Sequence, residues 1–220
     1  MPPIAQALRR ILVVITFAAT TLVIGSTTAP AADLVNGAVR GGQAVFFDQH
    51  RCMIGFSVEH SANGDGFVTA GPCGTVGQQV RLSPGGTPVG VVAAQTIGWL
   101  YVDLYNGWTS EPYVFPNQPV TGYGQAPVGS SVCSIGPTTG VHCGTIAAHN
   151  QTVHFPTGTV TGLTRTDVCG EPGMIGAPFL SNGQAQGVAL GGSGDCTTGG
   201  TTYIFPMMPV VGAGLLIKTV

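Results

Sequence analysis

Chemistry near neutral pH needs side chains that give or take a proton, and this chain has five histidines, His50, His60, His142, His149 and His154. Such a base within hydrogen-bond reach of a serine makes that serine a nucleophile. Ser193 sits in the glycine-rich run Gly191-Gly192-Ser193-Gly194-Asp195-Cys196, but no histidine lies near it in sequence. Taken singly, each histidine reads as a surface or strand residue. The six cysteines could hold a metal or pair as disulfides. Zinc asks for closely spaced cysteine pairs or for histidines at helical or hairpin spacing, and the sequence has neither a C-x-x-C pair nor such histidines. No metal or other cofactor is implied.

The rest of the chain must supply the elements that position these residues. Arg9 and Arg10 precede an apolar run from Ile11 to Gly25, and small residues then lead to Ala29-Pro30-Ala31. This is the pattern of a secretory signal over residues 1–31, with an apolar run short for a bilayer span. The mature chain is expected to begin near Ala32 and to be secreted or held at the cell envelope. Behind an export signal, an even number of cysteines reads first as a disulfide framework, whose connectivity the sequence alone leaves open. From Ala32 onward five basic residues stand against nine acidic ones, a formal charge of −4, so nucleic acid is not an expected partner. Nothing in this part is long and apolar enough for a membrane span.

Strand-like stretches recur at short intervals, at Gln43 to Phe47, Met53 to Val58, Gly66 to Ala70, Gln79 to Leu82, Val91 to Gln95 and Trp99 to Tyr105. A Pro- and Gly-rich connection near Pro116 to Pro127 follows. A second set lies at Ser131 to Cys133, Gly144 to Ala148, Val160 to Thr166, Pro178 to Leu180, Gln186 to Leu190 and Thr201 to Phe205. Helical periodicity is confined to Met207 to Ile217, which reads as a short C-terminal helix. Periodicity alone supports an all-β domain.

Three blocks sharpen this. Arg51-Cys52-Met53-Ile54-Gly55-Phe56 is followed by Phe67-Val68-Thr69-Ala70-Gly71-Pro72-Cys73. Gly136-Pro137-Thr138-Thr139-Gly140-Val141-His142-Cys143-Gly144-Thr145 comes next. Thr164-Arg165-Thr166-Asp167-Val168-Cys169-Gly170-Glu171-Pro172-Gly173 then leads to the run at Gly191 and to Gly199-Gly200-Thr201-Thr202. In order and spacing these resemble the bacterial chymotrypsin-like serine proteases of the streptogrisin and α-lytic protease type. The resemblance implies two packed six-stranded antiparallel β-barrels, residues 32–118 and 119–220, forming one protease-like domain. It also implies the pairs Cys52 with Cys73, Cys133 with Cys143 and Cys169 with Cys196.

The same alignment places other residue types where the family carries its triad. Pro72 stands at the histidine of T-A-G-H-C, and Ile175 stands at the serine of G-D-S-G-G-P, here Gly173-Met174-Ile175-Gly176-Ala177-Pro178. Proline has no lone pair to accept a proton, and isoleucine cannot attack a carbonyl. Gly98 matches the carboxylate that opens the strand Gly98-Trp99-Leu100-Tyr101-Val102-Asp103-Leu104, which leaves Asp103 as an outward residue further along it. Leu190, Met174 and Ser134 fill positions whose family side chains support the triad. A network replaced as a whole by apolar groups avoids the cost of one left half-paired. From these substitutions the chain is expected to be a secreted pseudoprotease, not an enzyme, acting as a binding or surface protein. The alternatives are a serine-type peptidase with unconventional chemistry and a structural cell-envelope protein. The resemblance further implies that Gly191, Gly192 and Ser193 pair with an extended peptide, or that another protein fills the cleft. Gly173 and Ile175 would supply N–H donors, and Ile175 and Leu190 an apolar floor.

Overall fold

The computed structural model describes residues 37–62, 64–136 and 140–220. The expected signal segment, residues 1–31, and the centre of the turn at Pro137 lie outside them. The first half contributes β1 (Ala38–Gly41), β2 (Ala44–Phe47), β3 (His50–Met53), β4 (Phe56–His60), β5 (Gly64–Ala70), β6 (Gln79–Arg81), β7 (Pro88–Gln95), β8 (Trp99–Leu104), β9 (Thr109–Val114) and β10 (Gln118–Pro119). The second half contributes β11 (Ser131–Gly136), β12 (Gly140–Phe155), β13 (Gly158–Thr166), β14 (Pro178–Ser181), β15 (Gln184–Asp195) and β16 (Gly199–Pro206). The helix α1 (Met208–Gly212) and the strand β17 (Leu215–Ile217) complete the order. The protein is all-β with this one short α-helix among the described residues.

The second half closes into a six-stranded barrel in the order β11-β12-β13-β16-β15-β14. The first half forms an eight-stranded sheet, β17-β4-β5-β8-β7-β6-β2-β3, beside a three-stranded sheet of β1, β9 and β10. Period-two burial builds these strands: β1 and β2 each alternate half-buried and buried residues. The stretch Met53 to Val58 is broken between Met53 and Phe56, so it supplies the end of β3 and the start of β4 instead of one strand. The expected C-terminal helix is shorter than its pattern: Gly214, at φ +89°, ends it, and Leu215–Ile217 pairs with β4.

Val160, Leu163 and Leu190 from the second half pack into the same core cluster as Phe47, Ile54, Phe67 and Leu100 from the first. The cleft therefore opens over a shared apolar floor. Three disulfides cross-link the strands and loops, Cys52–Cys73, Cys133–Cys143 and Cys169–Cys196. The first closes a loop with a sequence separation of 21. Replacing Cys52 and Cys73 together by alanine is expected to lower unfolding stability by about 3 kcal/mol, because the unfolded chain regains the entropy of that loop. A urea melt without reductant reads this, and an unchanged midpoint would contradict it.

Candidate active site

The site is organised by the turn Glu171–Ala177, which follows the Cys169–Cys196 bridge and is held from three sides. Within the turn, the Met174 N–H donates to Glu171 O at 3.2 Å and the Ala177 N–H to Met174 O at 2.8 Å. From β3, the Met53 N–H donates to Ile175 O at 2.9 Å, and Arg51 Nη1 donates to Gly173 O at 3.3 Å. Toward β15, the Gly176 N–H donates to Ala189 O at 2.8 Å. Gly176 has φ +86°, and a side chain there would run into Thr69 Oγ1 and Met53 O, so only glycine fits. Among the described residues, neither the Gly173 nor the Ile175 N–H donates a hydrogen bond. Both N–H groups are thus open to an acceptor from outside the described residues.

Two cavities share Ile175. The larger, about 340 Å³, runs along Gly191 to Asp195 and is walled by Glu171, Pro172 and Met174. The smaller, about 190 Å³, is lined by His50, Pro72, Ile97, Phe155, Ile175 and Leu190 among others. Along the larger one, Gly191, Gly192 and Ser193 pair with Tyr203, Thr202 and Thr201 of β16. β14 has already left β15 at Val188. The other edge of Gly191–Ser193 is thus an unpaired main-chain edge among the described residues, ready to take an added strand.

Pro72 lies in a 3-10 turn, Gly71–Cys73, directly after β5. Gly98 is buried and its N–H donates to Thr96 Oγ1 at 3.2 Å. The space in front of its Cα is filled by the Phe205 ring, which any β-carbon at 98 would overlap. β5 and β8 align Ala70 with Trp99 and Gly66 with Asp103, so Gly98 lies at the Pro72 end of the pair and Asp103 at the far end. There the Tyr101 hydroxyl donates to Asp103 Oδ1 at 3.4 Å. Burial, followed by the Asp103 charge, pushes that phenol far above its usual range.

Leu190 and Met174 are buried. Ser134 is the polar exception: it is fully buried and its Oγ finds no partner among the described residues, at a cost of about 1–3 kcal/mol. The histidines are spread out. His149 is engaged by Thr164 Oγ1 at 2.9 Å, Gln125 Nε2 at 3.1 Å and Ala126 O at 3.1 Å, and His154 Nδ1 by Thr159 Oγ1 at 2.7 Å. His60 stacks loosely on Tyr101, with ring centroids 6.0 Å apart. His142 Nδ1 lies 3.6 and 3.5 Å from the sulfurs of Cys169 and Cys196, but bridged sulfurs offer no thiolate to a metal. Only His50 reaches the shared cleft. Sequence reasoning took it for a surface or strand histidine, although it stands two residues before Cys52 and the Cys52–Cys73 bridge brings that end of β3 to Pro72.

No protein-family model matches the chain. Streptogrisin-C of Streptomyces griseus is 43% identical over 191 residues, which span 82% of this chain and 41% of that protein. Serine protease 2 of Streptomyces fradiae is 34% identical over 184 residues, 74% of this chain and 100% of that protein. The crystal structure of Thermobifida fusca Protease A superposes with a TM-score of 0.76 at 42% identity, covering 83% of this chain and all of that one. This chain belongs to the chymotrypsin-like serine proteases of the streptogrisin type. The chain spans less than half the length of Streptogrisin-C.

Membership in the streptogrisin-type family corrects the expectation of a pseudoprotease that is not an enzyme. Relatives named as proteases match most of this chain at 34–43% identity, which points to an enzyme. The physical error lay in equating loss of three side chains with loss of catalysis. A serine protease stripped of its triad still accelerates hydrolysis by about 10³–10⁴-fold over water, through its oxyanion donors and substrate binding alone.

Proposed function

We propose that this protein is an exported serine-protease-family enzyme that acts on polypeptide with unconventional chemistry. The observation that carries the reading is the pair of free N–H groups at Gly173 and Ile175, set beside the unpaired edge Gly191–Ser193. An extended peptide adds to that edge by main-chain hydrogen bonds, which brings one of its carbonyls to the two donors. Pro72, Gly98 and Ile175 occupy the triad positions in this reading, so the nucleophile is water and no acyl-enzyme forms. Water attacks the carbonyl carbon, the oxygen gains the negative charge facing the two N–H groups, and the C–N bond breaks as the amine takes up a proton. His50 is the ionisable side chain lining the cavity beside Ile175, and it accepts the proton of the attacking water.

The test is hydrolysis of a quenched-fluorescent peptide library by the mature chain, with products identified by mass spectrometry. Cleavage about 10⁵–10⁶-fold above the uncatalysed rate is expected, about 10³–10⁴ from donors and binding and about 10² from His50. It should be insensitive to serine-directed fluorophosphonates, since Ile175 offers no hydroxyl, and His50→Gln should slow it about 10²-fold. Cleavage no faster than the blank, or labelling by the fluorophosphonate, defeats this reading.

A further inference from the structure

We infer that Cys169, Cys196 and His142 bind a zinc ion whenever the bridge between the two sulfurs is open, so that metal and disulfide are alternative ties between the same two segments.

His142 lies on β12, and its Nδ1 stands 3.6 Å from Cys169 Sγ and 3.5 Å from Cys196 Sγ. Among the described residues this is the one group of three His, Cys, Asp or Glu side chains close enough to share an ion. A tetrahedral zinc, with bonds of about 2.0–2.1 Å to nitrogen and about 2.3 Å to sulfur, sets those two ligand atoms about 3.6 Å apart. The imidazole is therefore already placed at ligand spacing from both sulfurs. Only the sulfurs need to part, to about 3.8 Å across the same ion. The closed bridge lacks the thiolates that a zinc ion takes as ligands, and opening it supplies them.

The other ring nitrogen points to the same chemistry. His142 Nε2 is buried and makes no hydrogen bond among the described residues. It faces Glu171 Oε2 at 3.6 Å, just beyond hydrogen-bond reach. A histidine that ligates a metal through one nitrogen carries its proton on the other, and in most metal sites that proton is directed at a carboxylate or carbonyl. Here Nδ1 faces the sulfurs and Nε2 faces the carboxylate, which is the orientation such a ligand requires. Two thiolates and one imidazole select zinc over magnesium or calcium, and leave its fourth position to water.

Both sulfurs are thiols before the bridge closes and again after a dithiol reopens it. In the second case the dithiol's two sulfurs join to each other, the Cys169–Cys196 bond breaks, and each cysteine sulfur gains one of the dithiol's hydrogens. Zinc then displaces two protons to solvent and joins both thiolates. Cys169 stands two residues before Glu171 and Cys196 directly follows β15, so the ion holds the turn Glu171–Ala177 to the end of that strand in place of the disulfide.

Cobalt(II) is the probe, because a tetrahedral site with thiolate ligands gives it an intense visible and near-ultraviolet spectrum. Cys196→Asp frees the Cys169 thiol, puts an oxygen ligand in place of the second sulfur, and leaves the other two bridges closed without any reductant. This variant is expected to take up one cobalt per chain with a sulfur-to-cobalt band that zinc abolishes, whereas the oxidised parent shows none. In that background Glu171→Gln should weaken binding about tenfold, and His142→Ala, which deletes a ligand outright, by about a hundredfold or more. The parent, reduced with dithiothreitol and desalted under nitrogen, should show the same band, and zinc should raise its thermal midpoint. A chain that takes up no cobalt in either form, or takes it up equally with and without His142, overturns the inference.

Discussion

Replacing Gly98 by aspartate is expected to cost about 4 kcal/mol or more, a large part of the 5–15 kcal/mol that holds a typical domain together. Two effects add. The side chain must enter space already occupied by the Phe205 ring, and forcing atoms into a packed interior costs about 1–3 kcal/mol. The atoms that a β-carbon at 98 meets all belong to the Phe205 ring, so the carboxylate would be buried against apolar surface, and an uncompensated buried charge costs about 3–5 kcal/mol. The Thr96 hydroxyl already serves the N–H groups of Gly98 and Trp99, at 3.2 and 3.1 Å. Thermal and urea unfolding of Gly98→Asp read the loss, and the double variant Gly98→Asp with Phe205→Ala should recover the steric share. A single variant as stable as the parent would show that the Phe205 ring swings aside without cost.

The second large effect is kinetic. Ile175→Pro deletes one of the two free N–H groups while keeping the carbonyl that Met53 binds, and removing one oxyanion donor costs about 10²–10³ in turnover. Peptide hydrolysis by this variant should therefore fall by about 10²–10³-fold. Affinity for peptides along Gly191–Ser193 should stay within about threefold, because those hydrogen bonds lie elsewhere. Ile175→Val, which retains the N–H, should keep the parental rate. If valine lost as much as proline, the side chain and not the donor would carry the effect.

How far the site could be read from sequence follows from what each feature depends on. The all-β class was legible because alternation is local: a strand such as Ala44–Phe47 shows its buried face within four residues. The cysteine positions were legible because their flanking residues resemble a known framework. The extent of the C-terminal helix was not, since Leu215 and Ile217 suit a helix face as well as a strand face and only the free edge of β4 decides between them. His50 was read as a surface or strand histidine for a similar reason: its place beside Pro72 and Ile175 is set across a disulfide. The contact between Gly98 and Phe205 joins positions far apart in sequence, so a glycine at 98 could be noted but not explained. The non-enzyme expectation named the N–H donors of Gly173 and Ile175 through the resemblance but weighed only the missing side chains.

The pairing of β17 with β4 sets an order of events during biogenesis. Leu215 faces His60 and Ile217 faces Val58, the Lys218 N–H donates to Ser57 O, and Lys218 Nζ donates to Asp65 Oδ1 at 2.7 Å. The sheet of the first half thus borrows its border strand from residues 215–217, which follow the second half in sequence. Until residues 215–218 have emerged, β4 presents an open edge that other chains can join. The first half cannot complete its sheet while the second is still being made, and long-range closure of this kind is slow.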